Sequence, residues 1–187
     1  MRPQKVLDIE ILTGLTKVFR SRGYEGASLK ELSEATGLKK ASLYHRFPNG
    51  KQEMADAVLQ HLEDWVTNNV FNTLLDTNLD PSTRLKEGLS AIRTLYDGGK
   101  NICIFRALSM QAGIELFEEQ INQGMTAYLS AFKEIGIALK LTPEAAEEKA
   151  LQVLIEIQGS LIVTKGLGDI SIFNKTLQNI EHKYLNP

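Results

Sequence analysis

The sequence predicts an all-α chain, and three observations carry that prediction. Apolar residues recur at spacings of three and four through most of the 187 residues. Four places, at Ser28, Asn49, Asp80 and Thr142, carry recognisable helix-start chemistry. The two stretches that alternate, Asn101–Phe105 and Ile170–Phe173, are too short to build a sheet. About nine helices and no internal repeat are expected.

Ile11, Leu12, Leu15, Val18 and Phe19 form one apolar stripe on a first helix from about Val6 to Arg22, with Gly23 as its stop. Ser28-Leu29-Lys30-Glu31 reads as a capping box, in which serine and glutamate satisfy each other's free amides. It opens a short second helix that turns Leu29, Leu32 and Ala35 inward and stops at Gly37. A third short helix, about Lys39 to Phe47, buries Leu43 and Phe47 and ends before Pro48, which disfavours helical geometry in its predecessor. Asn49 and Gln52 predict the cap of a long fourth helix carrying Met54, Val58, Leu62, Trp65 and Phe71 towards Leu75. Asp80-Pro81 and Thr142-Pro143 each pair a capping side chain with proline at the first helical position. Gly98-Gly99 breaks a helix between them, and Gly113 and Gly136 mark further bends or ends.

Composition narrows the function. With 43% hydrophobic residues and a net charge of −2, the chain is too apolar and too nearly neutral for intrinsic disorder. The single cysteine, Cys103, excludes an internal disulfide framework and a cysteine-based structural zinc site. It reads as a buried inert thiol, or as an oxidant sensor activated by Arg106 one turn on. No apolar run approaches the ~18 residues of a membrane span, and no secretory signal is visible in Met1-Arg2-Pro3-Gln4-Lys5. A cytoplasmic protein without a membrane partner is therefore expected. The charge is uneven: residues 1–51 hold ten Lys/Arg against five Asp/Glu, whereas the remainder holds eleven against eighteen. A basic N-terminal quarter suits a polyanion met at one end, although a solvated basic face fits as well.

Only Thr36-Gly37-Leu38 separates the second and third helices, a spacing that crosses them steeply as in a helix-turn-helix. In that arrangement the third helix enters the DNA major groove while the second braces it across the backbone. Lys39 and Lys40 offer charge there, Ser42, Tyr44, His45 and Arg46 offer hydrogen bonds, and Ala41 allows close approach. A plain solvated helix of a bundle remains the alternative on these residues alone.

The stretch Phe19-x-x-x-Gly23-Tyr24-x-x-x-Ser28-Leu29-x-x-Leu32-x-x-x-Thr36-Gly37-Leu38-Lys39-Lys40-Ala41-Ser42-Leu43-Tyr44-His45-Arg46-Phe47-Pro48-Asn49-Gly50-Lys51-x-x-Met54 closely resembles the N-terminal domain of the TetR family of transcriptional regulators, from about Ile9 to Val58. The resemblance implies a three-helix DNA-binding domain (1–48), and a helical ligand-binding and dimerisation domain (49–187) entered through a linking fourth helix. It also implies a palindromic operator and, by family habit, repression relieved by a small apolar or amphipathic effector. Carried over by position, Ser28 caps the second helix where a phosphate can be touched. Lys40, Ser42, Tyr44 and His45 face DNA, and Lys51 opens the fourth helix near the phosphate backbone. Lys39 departs from the usual Ser or Thr cap, and Asn49-Gly50 lengthens the usual link by one residue. Lys40, Lys51, Ser28 and the Tyr44 hydroxyl then set register on phosphates, which leaves Lys39, Ala41, Ser42 and His45 to read base edges. So thin a reading set needs two copies on adjacent half-sites.

Beyond residue 60 the resemblance is one of length and helical character only. Ala145–Leu167 is apolar around most of its circumference, so one side is expected in the subunit and the other on a partner. Expected interface residues are Leu151, Leu154, Ile155, Gln158 and Ile162, with Phe173, Leu177 and Ile180 of the last helix. Trp65, Tyr96, Phe105, Met110, Met125, Tyr128 and Phe132 are candidate effector-pocket residues, although aromatic and Met residues at helical spacing also make plain core. A helical metal-binding enzyme is the rival from another class, on three histidines and the clusters Glu115/Glu118/Glu119 and Glu144/Glu147/Glu148. No histidine sits at metal-ligand spacing, no catalytic triad or phosphate loop is visible, and neither catalysis, metal nor cofactor is expected. A ligand-blind or architectural DNA-binder with the same N-terminal domain is the second alternative.

Overall fold

The structure is a computed structural model that describes residues 8–110 and 112–186. Among the described residues it has nine helices and no strand. We label them α1 (Asp8–Gly26), α2 (Leu29–Thr36), α3 (Lys40–Arg46), α4 (Lys51–Val66), α5 (Pro81–Leu95), α6 (Ile104–Leu108), α7 (Ala112–Ala138), α8 (Pro143–Leu167) and α9 (Ser171–Leu185). The α4 rod continues without a break through a π-helical turn, Thr67–Phe71, and a last α turn, Asn72–Leu75. The expected start of α1 at Val6, and the Met1–Lys5 segment, lie outside the described residues.

Two compact units divide the chain. The first comprises Met1–Glu63 and Ile104–Ile121, so the body that holds α1–α3 also takes in the start of α4, all of α6 and the start of α7. Its core contains Ile11, Leu15, Phe19, Leu32, Leu43, Met54, Val58 and Phe117, each at most 1% exposed. Gly14 lets α1 and α2 touch backbone to backbone, since a Cβ there would collide with the Ala35 carbonyl. Helical geometry in α1 fails at Gly23 (φ 71°), the expected stop, and one further turn follows it.

The start of α4 differs from expectation. Gly50 adopts φ 72°, a left-handed conformation that glycine takes without steric cost, and its N–H donates to the Phe47 carbonyl. The helix therefore begins at Lys51, one residue later than an Asn49 cap would place it. With the register moved, Glu53 rather than Gln52 reaches back, and its carboxylate accepts the Asn49 backbone N–H at 2.8 Å.

The second unit comprises Asp64–Cys103 and Asn122–Pro187. Both Asp-Pro and Thr-Pro starts behave as read: Asp80 accepts from the Ser82 and Thr83 amides, and Thr142 from the Ala145 amide. The Ser82 and Thr83 hydroxyls also donate to Asp80, and these bonds first, with the amides after them, hold its carboxyl well below the usual carboxylate range. Gly98-Gly99 lies in a 3-10 turn between α5 and α6, and Gly136 lies near the end of α7, close against Ala146. Edge-on rings knit this core: Phe71 with Tyr128 at 4.9 Å, Tyr96 with Phe173 at 5.8 Å, and Phe132 with Tyr184 at 6.3 Å. In the π-helical turn the side chains tend the carbonyls, Asn69 donating to the Trp65 oxygen (2.7 Å) and Thr73 to the Asn69 oxygen (3.0 Å).

Run-counting understates α8. By length and mean hydropathy (1.2 over its most apolar window) this helix is long and apolar enough to cross a membrane, because an average tolerates the charges that interrupt a run. Yet Glu156 within it is ion-paired with Lys183 of α9, and Ala146, Ala150, Val153, Ile157 and Leu161 are buried against the rest of the unit.

Candidate nucleic-acid interface

The capping box at α2 forms as its sequence requires. Ser28 Oγ accepts the Glu31 amide, and the Glu31 carboxylate accepts the Ser28 amide at 3.2 Å. The Ser28 hydroxyl also donates to Glu31 at 2.8 Å, and Arg22 Nε donates to the same carboxylate. These bonds, Ser28's side chain first, hold the Glu31 carboxyl below its ordinary value. The Ser28 proton is thus committed to Glu31 in this structure, and a phosphate at this corner would have to displace it.

Gly37 caps α2 in the left-handed conformation, and Thr36 and Ser33 satisfy the turn, Ser33 Oγ donating to the Leu38 carbonyl. Lys39 stands at the start of α3 in extended conformation, and no side chain caps that end. The free amides there suit an anion. Around α3 the residues partition by face: Leu43 is fully buried and Phe47 nearly so, whereas Lys39, Lys40, Ala41, Ser42, Tyr44, His45 and Arg46 are exposed. Tyr44, 45% exposed, lies over Gly50. Arg46 is engaged by Asp8 at the start of α1, an ion pair that helical periodicity does not register. Lys51 is half-buried: its ammonium lies 4.6 Å from the centre of the Tyr24 ring and donates to the Glu25 carbonyl at 3.4 Å.

The same helix as Lys51 carries two neighbouring carboxylates, Glu53 and Asp56. Gln120 donates to Asp56 at 3.1 Å, and burial, then the neighbouring Glu53, pushes the Asp56 carboxyl up. A raised value means that folding favours the protonated form, so charged Asp56 lowers stability near neutral pH and the penalty fades as pH falls through the raised pKa. Asp56→Asn, which keeps an oxygen for Gln120, is therefore expected to raise the melting temperature at neutral pH. Thermal scans at falling pH should show the gain shrinking; a constant gain would remove Asp56 ionisation as its cause.

The expected interface residues separate into two groups. Leu151, Ile155 and Ile162 of α8 are 50%, 60% and 48% exposed, and Leu154 is half-buried. Phe173, Leu177 and Ile180, by contrast, are at most 2% exposed and packed within the chain's own core. This corrects the placement of these three: their side chains are covered within their own unit and are not free for a partner. Gln158 likewise turns inward, to hydrogen-bond Tyr96.

The expected pocket residues fall in both units. Tyr96, Tyr128 and Phe132 are buried and Trp65 and Met125 half-buried in the second; Phe105 is half-buried and Met110 59% exposed in the first. Exposure takes Met110 out of any enclosed lining. Burial raises the Tyr96 phenol far above its ordinary value, and Cys103 and Tyr128 add to the rise while Gln158 opposes it. Tyr96, Cys103, Tyr128 and Gln158 are thus neighbours, a polar group set among Phe71 and Phe173. Cys103 stands out in the sequence by its rarity; the place of Gln158 in this group carries no sequence signal. Among the described residues no group of three His, Cys, Asp or Glu could hold a metal ion.

Residues 11–58 match the family model for bacterial regulatory proteins, tetR family. Over 159 residues the chain is 28% identical to the HTH-type transcriptional regulator LmrA of Bacillus subtilis (strain 168), covering 83% of this chain and 84% of that protein. It is 31% identical over 83 residues to the HTH-type transcriptional repressor DhaR of Mycobacterium sp. (strain GP1), 44% and 41% of the two chains. In fold it is similar to a TetR transcriptional regulator from Legionella pneumophila, with a TM-score of 0.80 over 98% of this chain and 99% of that one at 19% identity. The exposed α3, the capped turn before it and these likenesses converge: residues 11–58 form a helix-turn-helix domain of the TetR family type, and most of the chain is similar to transcriptional regulators.

Proposed function

We propose that this protein is a cytoplasmic repressor that binds a palindromic operator as a homodimer and releases it when a small apolar or amphipathic effector binds. One observation carries the reading: α3 offers Lys39, Lys40, Ala41, Ser42, Tyr44 and His45 to solvent while Leu43 and Phe47 anchor it from behind. A helix so mounted can lie in a major groove, with Lys40, Tyr44 and Lys51 on phosphates and Lys39, Ala41, Ser42 and His45 at base edges. Residues 1–48 would form the reader and 49–187 the sensing and pairing part.

Dimerisation is supported by Leu151, Ile155 and Ile162, large apolar side chains at helical spacing left exposed on one helix. A two-fold pairing on that face would match a two-fold operator. Effector binding is supported by the polar set Tyr96, Tyr128 and Gln158 inside apolar surroundings, the composition of a small-molecule site. Regulators of this family bind DNA and small-molecule ligands. Repression is supported by the likeness to DhaR, itself named a repressor.

Selection of bound duplexes from a random DNA pool tests the core of this reading. An inverted repeat with half-sites one helical turn apart is expected; recovery of sequences without two-fold symmetry would overturn the dimeric reader.

A further inference from the structure

Lys51 carries more structure around it than a phosphate-binding lysine needs. Its ammonium has three N–H groups. It donates to the Glu25 carbonyl and lies over the Tyr24 ring, two contacts that do not exhaust three donors. Tyr24 and Glu25, in the extra turn of α1 beyond the Gly23 break, are themselves held from a distant part of the sequence. The Tyr24 ring meets Phe117 edge-on at 5.2 Å, and the Glu25 carboxylate accepts the Gly113 N–H at 3.0 Å. All of these residues belong to the first compact unit, and Phe117 is wholly buried there.

We propose that Tyr24 and Glu25 are positioning residues for Lys51, so that the strength of the lysine's phosphate grip is set by how the first turns of α7 hold the end of α1. The inference rests on the reading of Lys51 as a phosphate contact. A free lysine must surrender its rotamers when it engages DNA; one already laid on a ring and a carbonyl surrenders fewer, which tightens binding without adding a contact. Any displacement of Gly113 and Phe117 would then loosen Lys51 although neither touches DNA.

The test uses the full chain and a DNA duplex of arbitrary sequence at low ionic strength, where binding is dominated by phosphate contacts. Lys51→Ala should weaken binding about tenfold, the worth of one charge-assisted bond. Tyr24→Leu should weaken it about three- to tenfold by loss of preorganisation, and Tyr24→Phe, which keeps the ring, should restore it. Glu25→Ala keeps the carbonyl and cuts only the tie to Gly113; it should give a smaller loss and, being exposed, keep the chain folded if Tyr24→Leu does not. In a Lys51→Ala background both changes should have no further effect, because they act through that lysine. Losses that persist in that background would overturn the proposal, as would unchanged affinity in Tyr24→Leu and Glu25→Ala while Lys51→Ala weakens binding. If Lys51→Ala is itself silent, the phosphate reading fails first and takes this one with it.

Discussion

Ile155→Asp is expected to give a folded chain that sediments as a monomer and binds the selected operator about 10²–10⁴-fold more weakly, the range over which linking two binding modules raises avidity. The size follows from the separation of two readers, since Ile155 itself is not placed on DNA. Ile155 is 60% exposed, so an aspartate there meets water in the isolated chain and should leave its stability nearly unchanged. In a two-fold pairing the same position meets its own copy or a neighbour, and a desolvated carboxylate without a partner is strongly unfavourable. Ile162→Asp, two turns along the same helix, should behave alike. Phe173→Asp should not: that side chain is wholly buried in the chain's own core, and the variant should fail to fold. Sedimentation and circular dichroism together separate the outcomes. A folded Ile155→Asp dimer would place the pairing face elsewhere.

Two adjacent residues of α3 should give opposite defects. Leu43 is fully buried, so Leu43→Ala removes packed methyl groups and leaves a cavity; about 2–5 kcal/mol of stability should be lost. Tyr44, 45% exposed beside Gly50, contributes little to the core. Tyr44→Ala should leave the melting temperature close to that of the parent and weaken operator binding about 10- to 100-fold, through two lost hydroxyl–phosphate bonds in a dimer. Melting curves and gel shifts on the same samples read both. Loss of stability in Tyr44→Ala with unchanged DNA affinity would mean that α3 presents another face.

What the sequence disclosed was chiefly what is local. Leu43 and Phe47 on one side of α3, the Ser28–Glu31 box and the Asp80 and Thr142 caps are patterns spanning a few residues, and each forms as read. The α4 start moved because the left-handed Gly50 shifts the register by one, and periodicity is blind to the sign of φ. The Asp8–Arg46 pair and the Tyr24–Lys51 contact join residues far apart in sequence, where spacing is silent. The misplacement of Phe173, Leu177 and Ile180 has a different origin. An apolar stripe announces that it must be covered, not by whom, and here the cover is its own chain. Gln158, expected at the interface with its apolar neighbours, is half-buried with Tyr96 beside it, a contact between residues far apart in sequence.

The widened turn at Thr67–Phe71 governs how the long rod tolerates changes in length. Losing one residue from an ordinary α-helix rotates everything after it by about 100°. At residues 67–71 the same loss would merely tighten a wide loop of backbone to normal pitch, leaving Val66 and Leu74 on the bearings they already have. Deleting the codon of exposed Asn68 or Asn69 should thus be far milder than deleting one a turn to either side, whereas Val70 and Phe71 are buried and cannot be spared.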